Sequence, residues 1–565
     1  MRQMRQAGSA VKGTGLAACL LATLLATAGT AVAQDADPTK LPAPVLVADD
    51  DLSAALETGE LSEAEYALER ARSIFRLARV RAEFGDVAAP APHEATLILR
   101  DLAARVQELS GGERKAAKRL LARPPMNSGD VPIGNGWTVS EASNSPLCGA
   151  NVCIHWVATS ADAPPLTDVN PANGIPDWVD LALSTWEFVW FQEIDLLGYR
   201  APLSDLSSPD SGGDAALDIY LDDVGSSRVF GYCTSDDPNA TDPNIFAVSA
   251  YCVVDNDYAA IQYGTEHSPQ EFLEVTSAHE FHHASQFAYD WLEDYWLLEG
   301  TASNMEETIY PLVDDNVNFL RFWSPLTRPS SPLDRGGTGN SEYGSWIFWR
   351  FLEEKVAGDP SIVREIWQRA DAAFPGVSAD DYSLQAVRNE LASRGLTLPE
   401  VFADFGVANR LRDYIDAGTA GYPIPPRTRT YTVGLQQRDT GWRSWRINHL
   451  ATRYFAFRAG RAVGGAARLR VAVKLPQYGA RATLIVFRSD GSVSKRRLRR
   501  NAAGNLRSIA LFGPGDVKRV ELVLSNGSGR IPLSSCWNDR VEPFFSCFGR
   551  PLDDRRVFQL RATLR

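Results

Sequence analysis

The sequence lacks long apolar runs beyond its first 33 residues, and it also lacks internal repeats of the solenoid kind. A membrane-spanning helix needs about 20 consecutive apolar residues, so we expect no membrane span in that part of the chain. With 43 glycines and 33 prolines among 565 residues, the chain is too poor in both for a collagen-like or low-complexity protein. Its 44% hydrophobic and 22% charged residues are typical of a globular protein. The length predicts more than one domain.

Acidic residues are scarce at the C-terminal end. Residues 427–565 carry 28 Lys and Arg against 8 Asp and Glu, a net charge of +20, whereas residues 1–426 carry a net charge of −33. This division favours at least two domains. The basic region can bind an anionic cell-surface polymer or dock onto the acidic body of its own chain, and we favour docking. No motif that reads nucleic acid accompanies it, so nucleic-acid binding is not expected.

The first 33 residues have the three parts of a secretory signal peptide. Three basic residues and no acid precede an apolar stretch over residues 16–28, and Ala31-Val32-Ala33 offers small residues for cleavage after Ala33. We therefore predict export to the periplasm or the extracellular space. A membrane anchor is the weaker alternative because the apolar stretch is short. Lipidation at Cys19 is also weaker, because most of the apolar segment follows that residue.

Cysteine is rare, with seven residues, of which Cys19 lies in the predicted signal peptide. The even number that is left favours disulfides in an exported chain. A cysteine metal site is not expected, because the paired CxxC arrangement of such sites is missing. The six cysteines fall into three sequence-local pairs, and the predicted disulfides are Cys148–Cys153, Cys233–Cys252 and Cys536–Cys547.

The spacing of apolar residues divides the rest of the chain into three parts. Residues 34–125 show three- and four-residue spacing, which predicts a helical N-terminal segment. This segment is either a removable prosegment or a permanent helical subdomain. Residues 126–425 are rich in aromatic residues and mix predicted strands with long helices. Residues 431–565 alternate apolar and polar residues, which predicts a β-sandwich, and the predicted fold class is α+β.

Histidine is also rare, yet three of the seven lie in the sequence His279-Glu280-Phe281-His282-His283. Residues four apart share one face of a helix, so His279 and His283 can direct both imidazoles at one metal ion. Neutral imidazole is a good zinc ligand, and Glu280 can accept a proton from a zinc-bound water. The alternative is a surface helix that carries histidines without a metal. His282 is offset from the ligand positions and is expected to pack or to face solvent.

A catalytic zinc needs a third protein ligand and an open position. Glu299, sixteen residues after His283 and in a second predicted helix, is the predicted third ligand. The small Gly300 and Ala302 are expected to permit close approach of the two helices. Glu306, two turns later, is a candidate partner for a metal-bound histidine. The weaker ligand candidates, which lie in the predicted loop between the helices, are Glu293 and Asp294.

Several segments together match a known pattern: Asp168–Asn170, Asn173–Asp177, Asp218–Leu221, Val254–Asp257, Thr276–Ala284, Trp296–Ala302 and Tyr343–Trp346. They resemble the gluzincin metallopeptidases and, more closely, a group of secreted bacterial metalloproteases with an HEFxH motif followed by an EGTA motif. The resemblance covers about residues 95–370. It implies a zincin-like catalytic domain in which His279, His283 and Glu299 bind zinc and Glu280 is the general base and acid.

The predicted activity is zinc-dependent hydrolysis of peptide bonds in a protein or peptide substrate. Glu280 would take a proton from zinc-bound water and pass it to the leaving amine, and Tyr343 is a candidate donor to the developing oxyanion. One alternative is a catalytically inactive zincin scaffold that acts as a calcium-dependent surface-binding or adhesion protein. Another is a zinc hydrolase of a different amide or ester bond. The intact Glu280 and ligand set favour the protease.

Oxygen-bearing side chains surround an Asn-Gly turn before the helix predicted to begin near Pro176. Calcium prefers such ligands, although the spacing departs from that of an EF-hand. The alternative is an acidic turn that caps the helix. A second acidic group at residues 205–223 is expected to be a solvated loop. The predicted calcium ligands are Asp168, Asn170, Asn173 and Asp177.

Overall fold

The computed structural model describes residues 50–124, 137, 145–208, 211, 214–242, 244–335, 341–374, 381–499, 505–531 and 551–565. These residues form a mixed α and β structure, as predicted. None of the helices in these ranges is long and apolar enough to cross a lipid bilayer. The predicted signal peptide and the predicted disulfide Cys536–Cys547 lie outside the described residues.

The N-terminal segment is helical, as predicted, and its first two helices are separated by clear sequence signals. Gly59, at φ +75°, ends the first helix in the left-handed conformation that favours glycine. Ser62 and Glu65 then form a reciprocal capping box that begins the second helix. The helices are α1 (Asp51–Thr58), α2 (Glu63–Phe84), α3 (Ala95–Arg105) and α4 (Gly111–Leu120).

The strands of the central region are β1 (Leu147–Cys148), β2 (Val152–His155), β3 (Leu217–Asp222), β4 (Gly231–Thr234) and β5 (Tyr251–Asp255). They form one sheet in the order β1-β2-β3-β5-β4, with parallel pairing in the middle and antiparallel pairing at both edges. Each short edge strand is joined to its neighbour by a disulfide. Cys148 lies opposite Cys153, and Cys233 lies opposite Cys252, which confirms two of the predicted disulfides.

The central α-helices that the structure describes are α5 (Asp177–Trp190), α6 (Ala260–Tyr263), α7 (Pro269–Asp290), α8 (Tyr295–Ile309), α9 (Val317–Phe322), α10 (Trp346–Phe351), α11 (Ser361–Arg369), α12 (Leu384–Ser393) and α13 (Leu398–Leu411). Helix α7 begins with a capping box between Ser268 and Glu271 and has Pro269 in its first turn. It contacts β4, β5, α5 and α8, so it is enclosed by the rest of the central region.

The C-terminal strands are β6 (Arg429–Val433), β7 (Arg443–Ile447), β8 (Ala451–Ala459), β9 (Arg468–Lys474), β10 (Ala480–Arg488), β11 (Val493–Arg497), β12 (Asn505–Leu511), β13 (Val517–Asn526) and β14 (Arg556–Leu564). Two sheets, ordered β11-β10-β13-β8-β6 and β12-β9-β14-β7, share one apolar core. The alternating burial along β9 reproduces the apolar–polar alternation of its sequence. The predicted two-sheet C-terminal region is therefore observed.

The basic C-terminal region contacts the acidic central region, as the docking alternative predicted. At this seam Arg410 of α13 donates two hydrogen bonds to Glu521 of β13, at 2.6 and 3.1 Å. Arg427 and Arg519 also donate to the same carboxylate. Around this buried contact lie further ion pairs, which are Arg497–Asp404, Lys495–Asp413 and Arg481–Glu400.

Candidate metal centre

The HExxH sequence occupies the middle of α7, where every side chain from Val275 to Asp290 is buried. His279 and His283 are one helical turn apart, and their ring centroids are separated by 4.9 Å. The next helix, α8, packs against α7 and supplies Glu299. Two packed helices therefore carry the three residues that the sequence predicted as ligands.

Glu299 meets both histidines. Its Oε2 atom lies 3.2 Å from Nε2 of His279 and 3.5 Å from Nε2 of His283. One possible ligand atom from each of the three residues lies within 4.8 Å of the other two. Two ligand atoms at about 2.0–2.1 Å from a tetrahedral zinc ion lie roughly 3.3 Å apart. The separations of Glu299 Oε2 from the two histidine nitrogens are close to that value, so the three side chains are placed to hold a metal ion.

The outer nitrogens of both histidines are also held. Nδ1 of His279 lies 2.7 Å from Oε1 of Glu306, the partner that the sequence predicted. Nδ1 of His283 lies 2.7 Å from Oε1 of Gln286, whose amide in turn donates to the Leu298 carbonyl. Gln286 was not predicted, although its position three residues after His283 on the same helix could have indicated it. Such partners fix the ring orientation and the tautomer of a metal-binding histidine.

The protonation states suit a cation between these groups. Burial alone would raise the pKa of Glu299, but His283 and His279 hold it at about 2, so this carboxylate is ionised. For His279, burial lowers the pKa, but hydrogen bonds to Glu299 and Glu306 outweigh burial and raise it well above its ordinary value. A metal ion at Nε2 of His279 would therefore compete with a proton for that ring. Among the described residues, His283 Nε2 and Glu299 Oε1 have no hydrogen-bond partner.

Glu280 is held from the N-terminal segment. The Thr96 hydroxyl of α3 donates to Oε2 of Glu280 at 2.9 Å and accepts from the Cys233 amide at 2.9 Å. The other carboxylate oxygen of Glu280 has no hydrogen-bond partner among the described residues. Burial raises the pKa of Glu280, against the opposing influence of His283 and His279. No sequence signal links Thr96 to a residue 184 positions away.

An aromatic cluster covers the same region. His93 stacks on Phe230 at 4.7 Å, and its ring centroid lies 5.7 Å from that of His279 and 5.8 Å from that of Tyr343. Burial and the neighbouring His279 lower the pKa of His93 to about 4. His93 was not predicted as a site residue, and the rarity of histidine in this chain is the one sequence signal that could have drawn attention to it.

Tyr343 lies beside the metal centre, where the sequence placed a candidate oxyanion donor. Its ring stacks on His279 with centroids 6.1 Å apart, and its hydroxyl has no hydrogen-bond partner among the described residues. Burial raises the pKa of this phenol well above its ordinary value, so the hydroxyl keeps its proton. A buried phenol that keeps its proton can donate a hydrogen bond.

Gly300 makes its nearest contacts with the segment after Tyr343, and not with α7 as the sequence analysis expected. A Cβ atom at this position would lie 2.4 Å from Ser345 Oγ and 2.5 Å from Trp349 Nε1. The missing side chain therefore leaves room for these two side chains against α8.

The remaining candidates lie elsewhere. Glu293 Oε1 accepts from the amide of Ser383, and Asp294 Oδ2 accepts from the hydroxyl of Ser383, and neither acid belongs to the group that His279, His283 and Glu299 form. His282 packs, as one alternative predicted, with Nδ1 2.7 Å from Oε2 of the buried Glu193. Burial lowers the pKa of His282 well below its ordinary value, which makes it a neutral core histidine.

The predicted calcium ligands lie in an exposed turn before α5. Asp168 accepts hydrogen bonds from the amides of Asn173 and Gly174. Asp177 accepts from the amides of Val169 and Asn170, and the Asn173 side chain accepts from Ile175. Backbone donors thus already bind several of these oxygens, which is the pattern of an acidic turn at a helix start. Calcium binding here stays a prediction.

The acidic group at residues 205–223, which was expected to be solvated, is buried in part. Asp205 is 2% exposed and Asp222 is 0% exposed. Arg123, itself 0% exposed, pairs with Asp205, Asp218 and Asp236. For Asp205 the prediction failed because the compensating Arg123 comes from the N-terminal segment, 82 residues away in sequence.

Comparison with known proteins gives little. No family model matches the chain, and no curated protein matches it. Among solved structures, it is similar to the pre-peptidase C-terminal domain of a collagenase from Bacillus anthracis, with 12% identity over 25% of this chain and 97% of that chain. The TM-score of this match is 0.14, a value too low to bear on fold or function.

Proposed function

We propose that the chain is an exported, zinc-dependent metalloprotease that hydrolyses peptide bonds. The observation that supports this best is the meeting of His279, His283 and Glu299, with Glu280 next to the first ligand in sequence. Two histidines and a glutamate are a donor set of catalytic zinc sites. When bound, zinc would polarise the substrate carbonyl and lower the pKa of an attacking water. The two disulfides fit an exported protein.

Glu280 is proposed to move the proton. Thr96 orients one of its carboxylate oxygens, while the other has no hydrogen-bond partner among the described residues and can receive a proton. The raised pKa of this carboxyl brings it closer to neutrality, where a group can both accept a proton and pass it to the leaving nitrogen. Tyr343 would donate its hydroxyl hydrogen bond to the oxygen on which negative charge develops.

Access to this site needs a change in structure. His279 is 1% exposed, and Glu280, His283, Glu299 and Tyr343 are each 0% exposed, so a peptide cannot reach them in the arrangement observed. The N-terminal segment supplies two of the covering groups, His93 and Thr96. We therefore favour a latent enzyme that becomes active when this segment is removed or displaced.

The alternative, a permanent helical subdomain, also has support. All residues of α3 are buried, and Arg100 donates to the Glu293 carbonyl at 3.0 Å. N-terminal sequencing of the active, secreted form separates the two. An active enzyme that begins at Gln34 would contradict the prosegment and would require that the segment moves without being cut.

The central experiment compares residues 34–565 of the wild type with Glu280→Gln. Zinc content is measured by mass spectrometry, and hydrolysis is measured on a mixed peptide library, before and after removal of residues 34–125. We expect about one zinc per chain in both proteins, and a loss of cleavage of about 10²–10⁴-fold in the variant. Glu274→Gln, a change of the same kind near the start of α7, is the matched control.

Each outcome separates the candidates. Zinc without cleavage, even after trimming, would favour the inactive scaffold that serves as a surface-binding protein. Absence of zinc would contradict the proposal altogether. Equal cleavage by wild type and Glu280→Gln would show that the protein is a hydrolase in which a residue other than Glu280 moves the proton.

A further inference from the structure

A second group of acids lies at the far end of α8. Glu307 is in the last turn of that helix, Asp314 is in the loop that follows, and Asp416 comes from the segment after α13. One carboxylate oxygen from each falls within 4.8 Å of the others. Two parts of the chain about a hundred residues apart therefore bring negative charge to one point, and none of these acids belongs to the His279, His283 and Glu299 group.

Four of the six carboxylate oxygens in this group have no hydrogen-bond partner among the described residues. Glu307 is 1% exposed, and neither of its side-chain oxygens has a hydrogen-bond partner among the described residues. Oδ1 of Asp314 and Oδ1 of Asp416 also have no hydrogen-bond partner among the described residues. The Tyr422 hydroxyl donates to Oδ2 of Asp416 at 2.9 Å. Buried carboxylates without donors are costly unless a cation compensates them.

The nearest cationic side chain does not fill this role. Arg350 reaches Glu307 only at 3.9 Å, and its Nε lies 3.0 Å from Glu354. Burial and the neighbouring Asp416 raise the pKa of Glu307 to about 10, although Arg350 and Asn316 oppose the shift. As an all-protein cluster, the group can thus carry its full negative charge only at a high cost in folding free energy.

We propose that Glu307, Asp314 and Asp416 bind a calcium ion. The donors are all oxygen, which suits a hard cation and not zinc. Calcium binds oxygens at about 2.3–2.6 Å, so two of its ligands on opposite sides lie up to about 5 Å apart. One carboxylate oxygen from each of the three acids lies within 4.8 Å of the other two, so one calcium ion can reach all three. The three ligands come from a helix end and two loops, and such a flexible arrangement suits calcium better than magnesium, which demands near-ideal octahedral geometry.

The ion would tie the last turn of α8 to the loop after it and to the segment after α13. Glu306, which holds His279, lies in that same last turn. The role is therefore structural, a brace for the helix that carries Glu299 and Glu306. This inference does not rest on the peptidase proposal, because stability and calcium binding can be measured whether or not the protein cleaves peptides.

The test uses the chain of residues 34–565, stripped with a chelator and titrated with Ca²⁺. We expect stoichiometric binding by calorimetry and a rise in melting temperature in the wild type. Glu307→Gln should weaken binding by at least about tenfold and remove the calcium-dependent rise. The stripped Glu307→Gln protein should melt no lower than the stripped wild type, because burial already keeps Glu307 protonated without an ion, and glutamine is a neutral side chain of the same shape.

Glu274→Gln is the matched control, because it is a change of the same kind on α7, outside the group of three acids. It should bind Ca²⁺ as the wild type does. Terbium luminescence, which reports on the ion itself, gives a second readout that does not depend on melting, and Glu307→Gln should weaken the signal while Glu274→Gln keeps it. No binding by the stripped wild type, or wild-type affinity in Glu307→Gln, would overturn the proposal. Equal binding of Mg²⁺ and Ca²⁺ would overturn the choice of calcium.

Discussion

The two largest hydrophobic cores among the described residues differ in the charge around them. The central core encloses charged groups, among them Arg100, Arg123, Glu193 and Glu299, each 0% exposed. The core between the two C-terminal sheets is made of apolar side chains, and the buried acids of that region, Glu521 and Asp553, both pair with arginines. Burying a charge costs free energy unless the charge is paired. The buried charges of the central region, including those of the candidate metal centre, therefore lower its folding stability. The sandwich has no such site among its described residues.

The largest expected effect breaks the charge balance of the central core. Arg123→Met leaves Asp205, Asp218 and Asp236 without their common partner. Breaking a buried ion pair by removing one partner costs about 3–5 kcal/mol, and we expect a loss of that size in the free energy of unfolding. Urea denaturation followed by tryptophan fluorescence measures it.

The control is an arginine of the seam that is partly exposed. Arg497 pairs with Asp404, and their side chains are 32% and 62% exposed. Exposed ion pairs contribute about 0–1 kcal/mol, so Arg497→Met should change the unfolding free energy by no more than that. Similar losses in the two variants would show that the central core does not depend on its buried charge in the way inferred.

The sandwich core should respond to lost volume. Leu522 is 0% exposed and faces Leu484 and Phe455 on the neighbouring strands. Leu522→Ala should cost about 3 kcal/mol through lost burial and a cavity, whereas Leu522→Met, which conserves volume, should cost less than about 1.5 kcal/mol. The measurement is again urea denaturation. Equal costs for both variants would contradict an apolar, close-packed core.

The same contrast explains what the sequence could and could not predict. In the sandwich, β9 alternates apolar and polar residues, and β10 and β13 contain short runs of apolar residues, so these strands can be located from local pattern alone. The metal centre was predictable to the extent that it is local: His279, Glu280 and His283 lie within five residues on one helix.

What could not be predicted depends on pairing across the chain. Thr96 and Glu280 are 184 positions apart, and Arg123 and Asp218 are 95 apart. A short side chain on a buried helix gives no local sign of its partner, so the contribution of the N-terminal segment to the site was missed. The acids Glu307 and Asp416 were missed for the same reason, because they meet only through the packing of separate segments.

A change at Glu306, which is not a predicted metal ligand, tests how far the candidate metal centre depends on a buried charge next to His279. Glu306→Gln removes the charged partner of His279 Nδ1 while the shape of the side chain is retained. Such partners typically contribute 10–100-fold in metal affinity, so we expect zinc to bind the variant about 10–100-fold more weakly, which corresponds to roughly 1.4–2.8 kcal/mol. Competition with a chelating dye measures this. Unchanged affinity would show that the carboxylate does not support the ligand, and Glu274→Gln serves as the control.

The smallest effect is expected where the two regions meet. Arg410→Met removes two hydrogen bonds from Glu521, but Arg427 and Arg519 still reach that carboxylate, so the loss in unfolding free energy should be only about 1 kcal/mol.

Burial would raise the pKa of Glu521, but the arginines hold it below its ordinary value of 4.5. A carboxyl whose pKa is lowered by folding stabilises the protein above its unfolded pKa and loses that contribution as the pH falls. The difference in unfolding free energy between wild type and Arg410→Met should therefore be constant near neutral pH and shrink below about pH 4.5. A difference that grows as the pH falls would show that the seam depends on packing of the arginine side chain and not on its charge.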